Sequence, residues 1–99
     1  MLTNKQRSQL RSMAHHLQPI VHIGKLGVND NLVQSTLNAL HARELIKISI
    51  LQNCMEDPKE VAQIISNLTN SHLVQTIGRI IILYKKSPTM SNRKVSKLV

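Results

Sequence analysis

Between Leu45 and Leu51 the chain alternates with a period of two: Ile46, Ile48 and Ile50 fall on one face, Lys47 and Ser49 on the other. Successive side chains take opposite faces only in a strand, so the pattern predicts one covered face and one polar face open to water. On both sides of this strand the period becomes helical. Upstream, Val33, Leu37 and Leu40 face inward on a helix from about Asn29 to Arg43, and downstream Asp57-Pro58 opens a helix with Val61, Ile64, Ile65 and Leu68 inward. Strands joined through crossover helices make a sheet with helices over at least one face.

The remaining segments complete the order. Thr3-Asn4-Lys5-Gln6 reads as a capping box, and Leu10, Met13, Ala14 and Leu17 recur at helical spacing, which predicts a helix over residues 4–17 ended with the help of Pro19. Ile20–Ile23 is a short strand, and Leu73–Ile77 and Ile80–Lys85 are two more about Gly78. The chain therefore reads as a single α/β domain over residues 1–86, in the order α-β-α-β-α-β-β, with a four-stranded mixed sheet and three helices. Residues 87–99 have no lasting period and read as a mobile basic tail. No internal repeat is present.

A chain of 99 residues with 41% hydrophobic content has room for one core. Thirteen Lys and Arg against five Asp and Glu give a formal charge of +8, which favours a polyanion as partner, nucleic acid first. Lys5, Arg7 and Arg11 precede the first acid, Asp30, and Lys85, Lys86, Arg93, Lys94 and Lys97 follow the last, Glu60, so the basic excess sits at the two ends. Cys54 is the single cysteine, which excludes an intrachain disulfide and a cysteine-rich metal cluster and fits the cytoplasm. The longest apolar run, Ile80–Tyr84, is too short to span a bilayer, and the start lacks the apolar core of a secretory signal. Its acid-free Lys5, Arg7, Ser8, Arg11 and Ser12 match a transit peptide in composition, but the apolar spacing is that of a folded helix.

The chemistry concentrates in Ile23-Gly24-Lys25-Leu26-Gly27-Val28-Asn29-Asp30, where a strand runs into a Gly-x-x-Gly turn and a helix starts at once. Two glycines three apart let main chain approach a phosphate, the helix start aims free N–H groups at the same place, and Lys25 adds a cation. Taken alone, the turn reads more simply as an ordinary strand-to-helix connection, and it is the rest of the chain that shifts the balance. On the first helix Arg7, Arg11 and His15 stand four apart with no local acid to pair them. A solvated face is the simpler account of such a stripe; on the same side of the sheet as Lys25, it would form one groove for a sugar-phosphate strand. Lys47 and Arg79 are secondary contact candidates, each equally a solvated charge. Tyr84 is the only aromatic residue and ends the most apolar strand, so a stacking platform for bases is excluded. Recognition of a nucleic acid would then rest on backbone phosphate and sugar and on shape.

Catalytic parts are lacking. Asp30, Glu56, Asp57 and Glu60 sit at helix starts, where the dipole favours them, and Glu44 sits at a helix end. His15 and His16 are adjacent and point apart, His22, His41 and His72 lie in separate elements without metal-ligand spacing, and Cys54 has no basic partner in the sequence. The expectation is a non-enzymatic protein with no catalytic residue, metal or other cofactor, and no small-molecule substrate.

Over residues 3–86 the chain resembles the chloroplast RNA splicing and ribosome maturation (CRM) domain family, and within it the free-standing bacterial YhbY type. The resemblance is carried by Leu2-Thr3, Gln6-Arg7, Leu10-Arg11, Ala14-His15, Pro19-Ile20-Val21, Ile23-Gly24-Lys25-Leu26-Gly27, Glu44-Leu45-Ile46-Lys47, Val74-Gln75-Thr76-Ile77-Gly78 and Leu83-Tyr84. It implies a fold similar to the C-terminal domain of bacterial translation initiation factor three, a Gly-x-x-Gly loop that contacts RNA, and association with large-subunit ribosomal RNA or its precursor particle. Asn29 stands where the family often has Thr or Ser as helix cap, and Asn caps equally well. The second helix has Gln34, Ser35 and Asn38 on its exposed side, which could extend the basic surface.

The expected RNA contacts are Gly24, Lys25, Leu26, Gly27 and Asn29 in the turn, Lys5, Arg7, Arg11 and His15 on the first helix, and Lys47 and Arg79 on the sheet. The protein is expected to act as a monomer assisting ribosome assembly. Two other classes fit the charge: a general binder of double-stranded DNA or the nucleoid, and a protein-interaction module docking on a ribosomal protein.

Overall fold

Helix α1 (Asn4–Ala14) begins where the capping box predicts: Thr3 Oγ1 accepts from the Gln6 amide at 3.1 Å, and Gln6 Oε1 accepts from the Thr3 amide at 2.9 Å. It ends three residues before Leu17. Pro19 drives Gln18 out of helical conformation, and the chain turns through His15 and His16, with the Leu17 amide donating to the Ala14 carbonyl at 2.9 Å. The computed structural model describes residues 2–99. After α1 come β1 (Pro19–Ile23), α2 (Asp30–Arg43), β2 (Leu45–Ile50), α3 (Pro58–Thr69), β3 (His72–Ile77), β4 (Ile80–Tyr84) and a 3₁₀ turn at Met90–Asn92. Asn29 caps α2 by accepting from the Leu32 amide at 2.9 Å, and Asp57 caps α3 with Pro58 in the first turn.

The strands form one mixed sheet in the order β1-β2-β4-β3, with β1 parallel to β2 and the other pairs antiparallel. Ile23 pairs with Ile50, Leu45 with Tyr84 and Ile77 with Ile80. The β1–α2 turn, the β2–α3 loop and the Gly78-Arg79 hairpin therefore lie at one end of the sheet. The starts of β2 and β3 and the end of β4 lie at the other.

Both faces of the sheet are covered. On one, Ile46, Ile48, Ile50, Ile81 and Leu83 pack against Leu40 of α2 and Val61, Ala62 and Ile65 of α3. On the other, Leu45, Val74, Ile82 and Tyr84 pack against Leu10 and Ala14 of α1. The β2 face carrying Lys47 and Ser49 is thus not simply wet: Leu45, on that face, is buried under α1, and Lys47 and Ser49 are half-buried. In α3 the inward stripe is Val61, Ala62, Ile65, Ser66 and Thr69, while Ile64 and Leu68, expected inside, are 45% and 56% exposed. In α2, Leu40 is buried as expected, but its buried companion is Thr36, whose hydroxyl donates to the Leu32 carbonyl at 2.8 Å.

Residues 87–99, which composition reads as a mobile tail, have a defined course. Glu44, at the C-terminal cap of α2 with φ +67, is fully buried, and its carboxylate accepts from the Ser87 amide at 2.8 Å and the Ser96 amide at 2.9 Å. The Ser87 hydroxyl and the Asn92 side-chain amide both donate to the His41 carbonyl. Val95 and Val99 pack on the α1 side of the sheet.

Candidate nucleic-acid interface

The glycine turn follows directly from the end of β1. The Leu51 amide donates to the Ile23 carbonyl at 2.8 Å, and residues 24–27 close on themselves through Gly27 N–H to the Gly24 carbonyl at 3.0 Å. Lys25 and Leu26 form the exposed tip, Leu26 with 83% of its surface open. The two glycines differ in kind. Gly27 has φ +66, and a Cβ there would lie 2.7 Å from Glu56 Oε2; a Cβ at Gly24 would meet Asn53 Oδ1 at 3.5 Å and Leu51 Cδ1 at 3.8 Å, ordinary contact distances. The turn stands between two clefts. One, of ≈ 370 Å³, is lined by His22, Gly24, Lys25, Gly27, Asn29 and Asn31 among others; the second, of ≈ 490 Å³, lies against Asn53, Met55 and Glu56.

A third, smaller cleft of ≈ 170 Å³ brings Arg11 and His15 of α1 together with Lys47 of β2 and Gln75 of β3. Between this cleft and the turn, β1 and β2 present polar residues on the α1 side of the sheet, flanked by Ile80 and Ile77 of the hairpin. His22 alternates with buried Val21 and Ile23 and pairs in register with Ser49, which lies two residues from Lys47 on the same face. A lane therefore runs from Arg11, His15 and Lys47 through Ser49 to His22 and the turn. Lys5 is exposed on α1, outside the lining of these clefts. Among the described residues, carboxylates accept hydrogen bonds only from backbone amides, at Lys59, Ser87 and Ser96, so the cations of the lane are not held by acids in this way.

Two predicted contact residues are occupied with the protein itself. Arg7 donates through Nη1 to the carbonyls of Leu73 and Val74, at 2.5 and 3.0 Å, where β3 shifts register against β4. Arg79 donates through Nε to the Ile50 carbonyl at 3.0 Å and through Nη2 to those of Leu51 and Cys54 at 2.6 and 2.8 Å. It fastens the β2–α3 loop whose Asn53 and Glu56 abut the turn, and so acts as a positioning residue. Tyr84 is buried and stacks on His72, with ring centroids 6.0 Å apart. His72 is held below its usual pKa chiefly by burial, with the charge of Arg7 among the smaller causes. Cys54 is buried, and among the described residues no cluster of three metal-ligating side chains occurs.

Glu56, Asn53 and His22 are among the residues of the turn's surroundings that sequence reasoning did not place there. Only His22 had a local signal, as a polar residue alternating with apolar ones in a strand.

A four-stranded mixed sheet with helices on both faces, a glycine turn projecting at one end and a basic helix on one face defines a class of small α/β domains whose exposed chemistry is cationic and lies on backbone and Lys or Arg side chains. The chain belongs to the CRS1/YhbY (CRM) domain family, whose model matches residues 2–85. It is 58% identical over 87 residues to the Bacillus subtilis protein named Probable RNA-binding protein YqeI, covering 88% of this chain and 91% of that one. With a Haemophilus influenzae RNA-binding protein it shares 36% identity over 86 residues, 87% of each chain. The solution structure of a Staphylococcus aureus protein, studied as a candidate RNA-binding protein, superposes with a TM-score of 0.77 at 47% identity, covering 91% of this chain and 94% of that one. Among the described residues, no helix is long and apolar enough to cross a membrane.

Proposed function

We propose that this protein is a non-enzymatic RNA-binding factor that associates, as a cytoplasmic monomer, with large-subunit ribosomal RNA or its precursor particle and assists assembly by holding a local RNA fold. The observation that carries this reading is the polar lane that joins Arg11, His15 and Lys47 to the exposed Gly24–Gly27 turn across Ser49 and His22. Phosphates lying along it would meet Lys25 and the capped start of α2 at one end and the α1 cations at the other. RNA binding is supported by the names of the relatives, and the ribosomal target by the family resemblance. With Tyr84 buried, affinity comes from backbone contacts and is strongly salt-dependent; six phosphate contacts give a log–log slope of about −4 on single-stranded RNA.

The test is binding of the wild type and of Lys25→Glu and Arg11→Glu variants to large-subunit ribosomal RNA, with duplex DNA as competitor and salt as the variable. Retention of RNA preference by the wild type and its loss in both folded variants is the expected result. A preference for duplex DNA would make the protein a general DNA binder. Particle binding that survives both charge reversals would place the contact on a ribosomal protein.

A further inference from the structure

The segment beyond the family match carries its own cationic surface. The family model ends at residue 85, and residues 86–99 contain Lys86, Arg93, Lys94 and Lys97 with no acid. Arg93 is tied to the Ser87 carbonyl through Nε at 2.7 Å, and Lys85, just upstream, is tied to the Thr69 carbonyl at 2.9 Å. Lys86, Lys94 and Lys97 are exposed, and so is Arg43 at the end of α2. The Glu44 carboxylate brings the main chain at three of them to one end of the fold: Arg43 precedes Glu44 itself, Lys86 precedes Ser87, and Lys97 follows Ser96, the two residues whose amides bond that carboxylate, and Lys94 lies two residues before Ser96. Burial and those amides occupy Glu44, leaving the cations around it open to solvent.

This cluster stands at the sheet end opposite the glycine turn, because Leu45 pairs with Tyr84 there while Ile23 pairs with Ile50 at the turn end. The six residues of β2 separate the two ends by about 17–20 Å, more than two Debye lengths of about 8 Å at physiological salt. No single phosphate group therefore reaches both the turn and this cluster, although Lys47 of the lane stands two residues along β2 from Leu45.

We propose that the docked C-terminal segment, together with Arg43, forms a second RNA-binding surface, so that one molecule holds two RNA segments at opposite ends of its sheet. The proposal rests on the RNA-binding reading above and adds a second contact to it. Glu44 is its positioning residue, since it fixes where the cations stand.

Two short, non-complementary RNA hairpins, one with a donor dye and one with an acceptor, are mixed with the full chain. Bridging gives energy transfer that rises with protein and falls again in excess, when each hairpin occupies its own molecule. A Lys86→Gln, Lys94→Gln, Lys97→Gln variant keeps Glu44, Val95 and Val99 and adds no acid near Glu44; its fold is checked by circular dichroism. It should bind one hairpin with at most a few-fold loss and a salt slope that stays steep, since the cations at the turn and on α1 are untouched, and give no transfer. Transfer equal to wild type in this variant overturns the second surface; if the same variant also stops binding phosphatidylglycerol vesicles, the surface is a membrane contact instead. A wild type that binds single hairpins without transfer overturns the second surface alone. A wild type that binds neither hairpin overturns the RNA-binding reading as well.

Discussion

At Gly27 the left-handed backbone and the neighbouring Glu56 carboxylate both act against a side chain, whereas at Gly24 neither does. Gly27→Ala should cost about 1–2 kcal/mol, the penalty of placing Cβ in that region, and adding Glu56→Ala should not restore it, because the flexible carboxylate can move while φ cannot. Gly24→Ala should stay within about 0.5 kcal/mol. Urea midpoints for the three variants decide this, and equal losses at the two glycines would contradict it. Glu44 is the other residue whose position is set by contacts rather than preference. Burial pushes its carboxyl up in pKa, but the amides of Ser96 and Ser87 outweigh burial and leave it below the usual glutamate range. A carboxyl lowered on folding stabilises the fold above its unfolded pKa, and that contribution disappears as pH falls from the ordinary glutamate range through the lowered value. Chemical denaturation across that window should show the decline in wild type and a flatter profile in Glu44→Gln.

The helices divide their charged and apolar residues differently from what periodicity implies. On α1, Arg7 is bound to β3 carbonyls and Arg11 faces the Lys47 cleft, although the two are four residues apart on one stripe. Arg7→Ala should therefore lower stability by about 1.5–3 kcal/mol, as expected for charged hydrogen bonds, with little direct effect on RNA affinity. Arg11→Ala should weaken RNA binding and leave the unfolding midpoint nearly unchanged; the reverse pattern would assign the roles wrongly. On α3, Ile64 and Leu68 lie on the flank of a stripe whose centre is taken by Val61, Ile65 and Thr69. Ile65→Ala should cost about 2–5 kcal/mol by opening a cavity, and Ile64→Ala much less, a difference that denaturant titration resolves readily.

At the scale of the molecule, a charge of +8 is carried by a domain whose five acids are spread out: Asp57 caps α3, Asp30 and Glu60 lie in helix first turns, Glu56 borders the glycine turn and Glu44 anchors the last residues. Self-repulsion, with little ion pairing to lose, makes screening favourable. Raising ionic strength from about 0.01 to 0.15 M shortens the Debye length from about 30 to 8 Å and should raise the thermal midpoint of the free protein, while weakening its complex with RNA. A midpoint that falls with salt would mean that attractive pairs dominate.

What the sequence determined by itself is local: the β2 alternation, the caps at Thr3, Asn29 and Asp57, the order of seven elements and the glycine turn with Lys25 at its tip all follow from contacts within a few residues. The tertiary structure alone decided that Arg7 and Arg79 bond main-chain carbonyls, that Glu56 borders the turn, that α1 packs over Leu45, Val74 and Tyr84, and that Glu44 draws the last residues onto the domain. These are long-range bonds between one side chain and main-chain groups or packed surfaces. Every residue offers a carbonyl and nearly every one an amide, so no residue type marks the partner in advance; only the folded chain brings the two together.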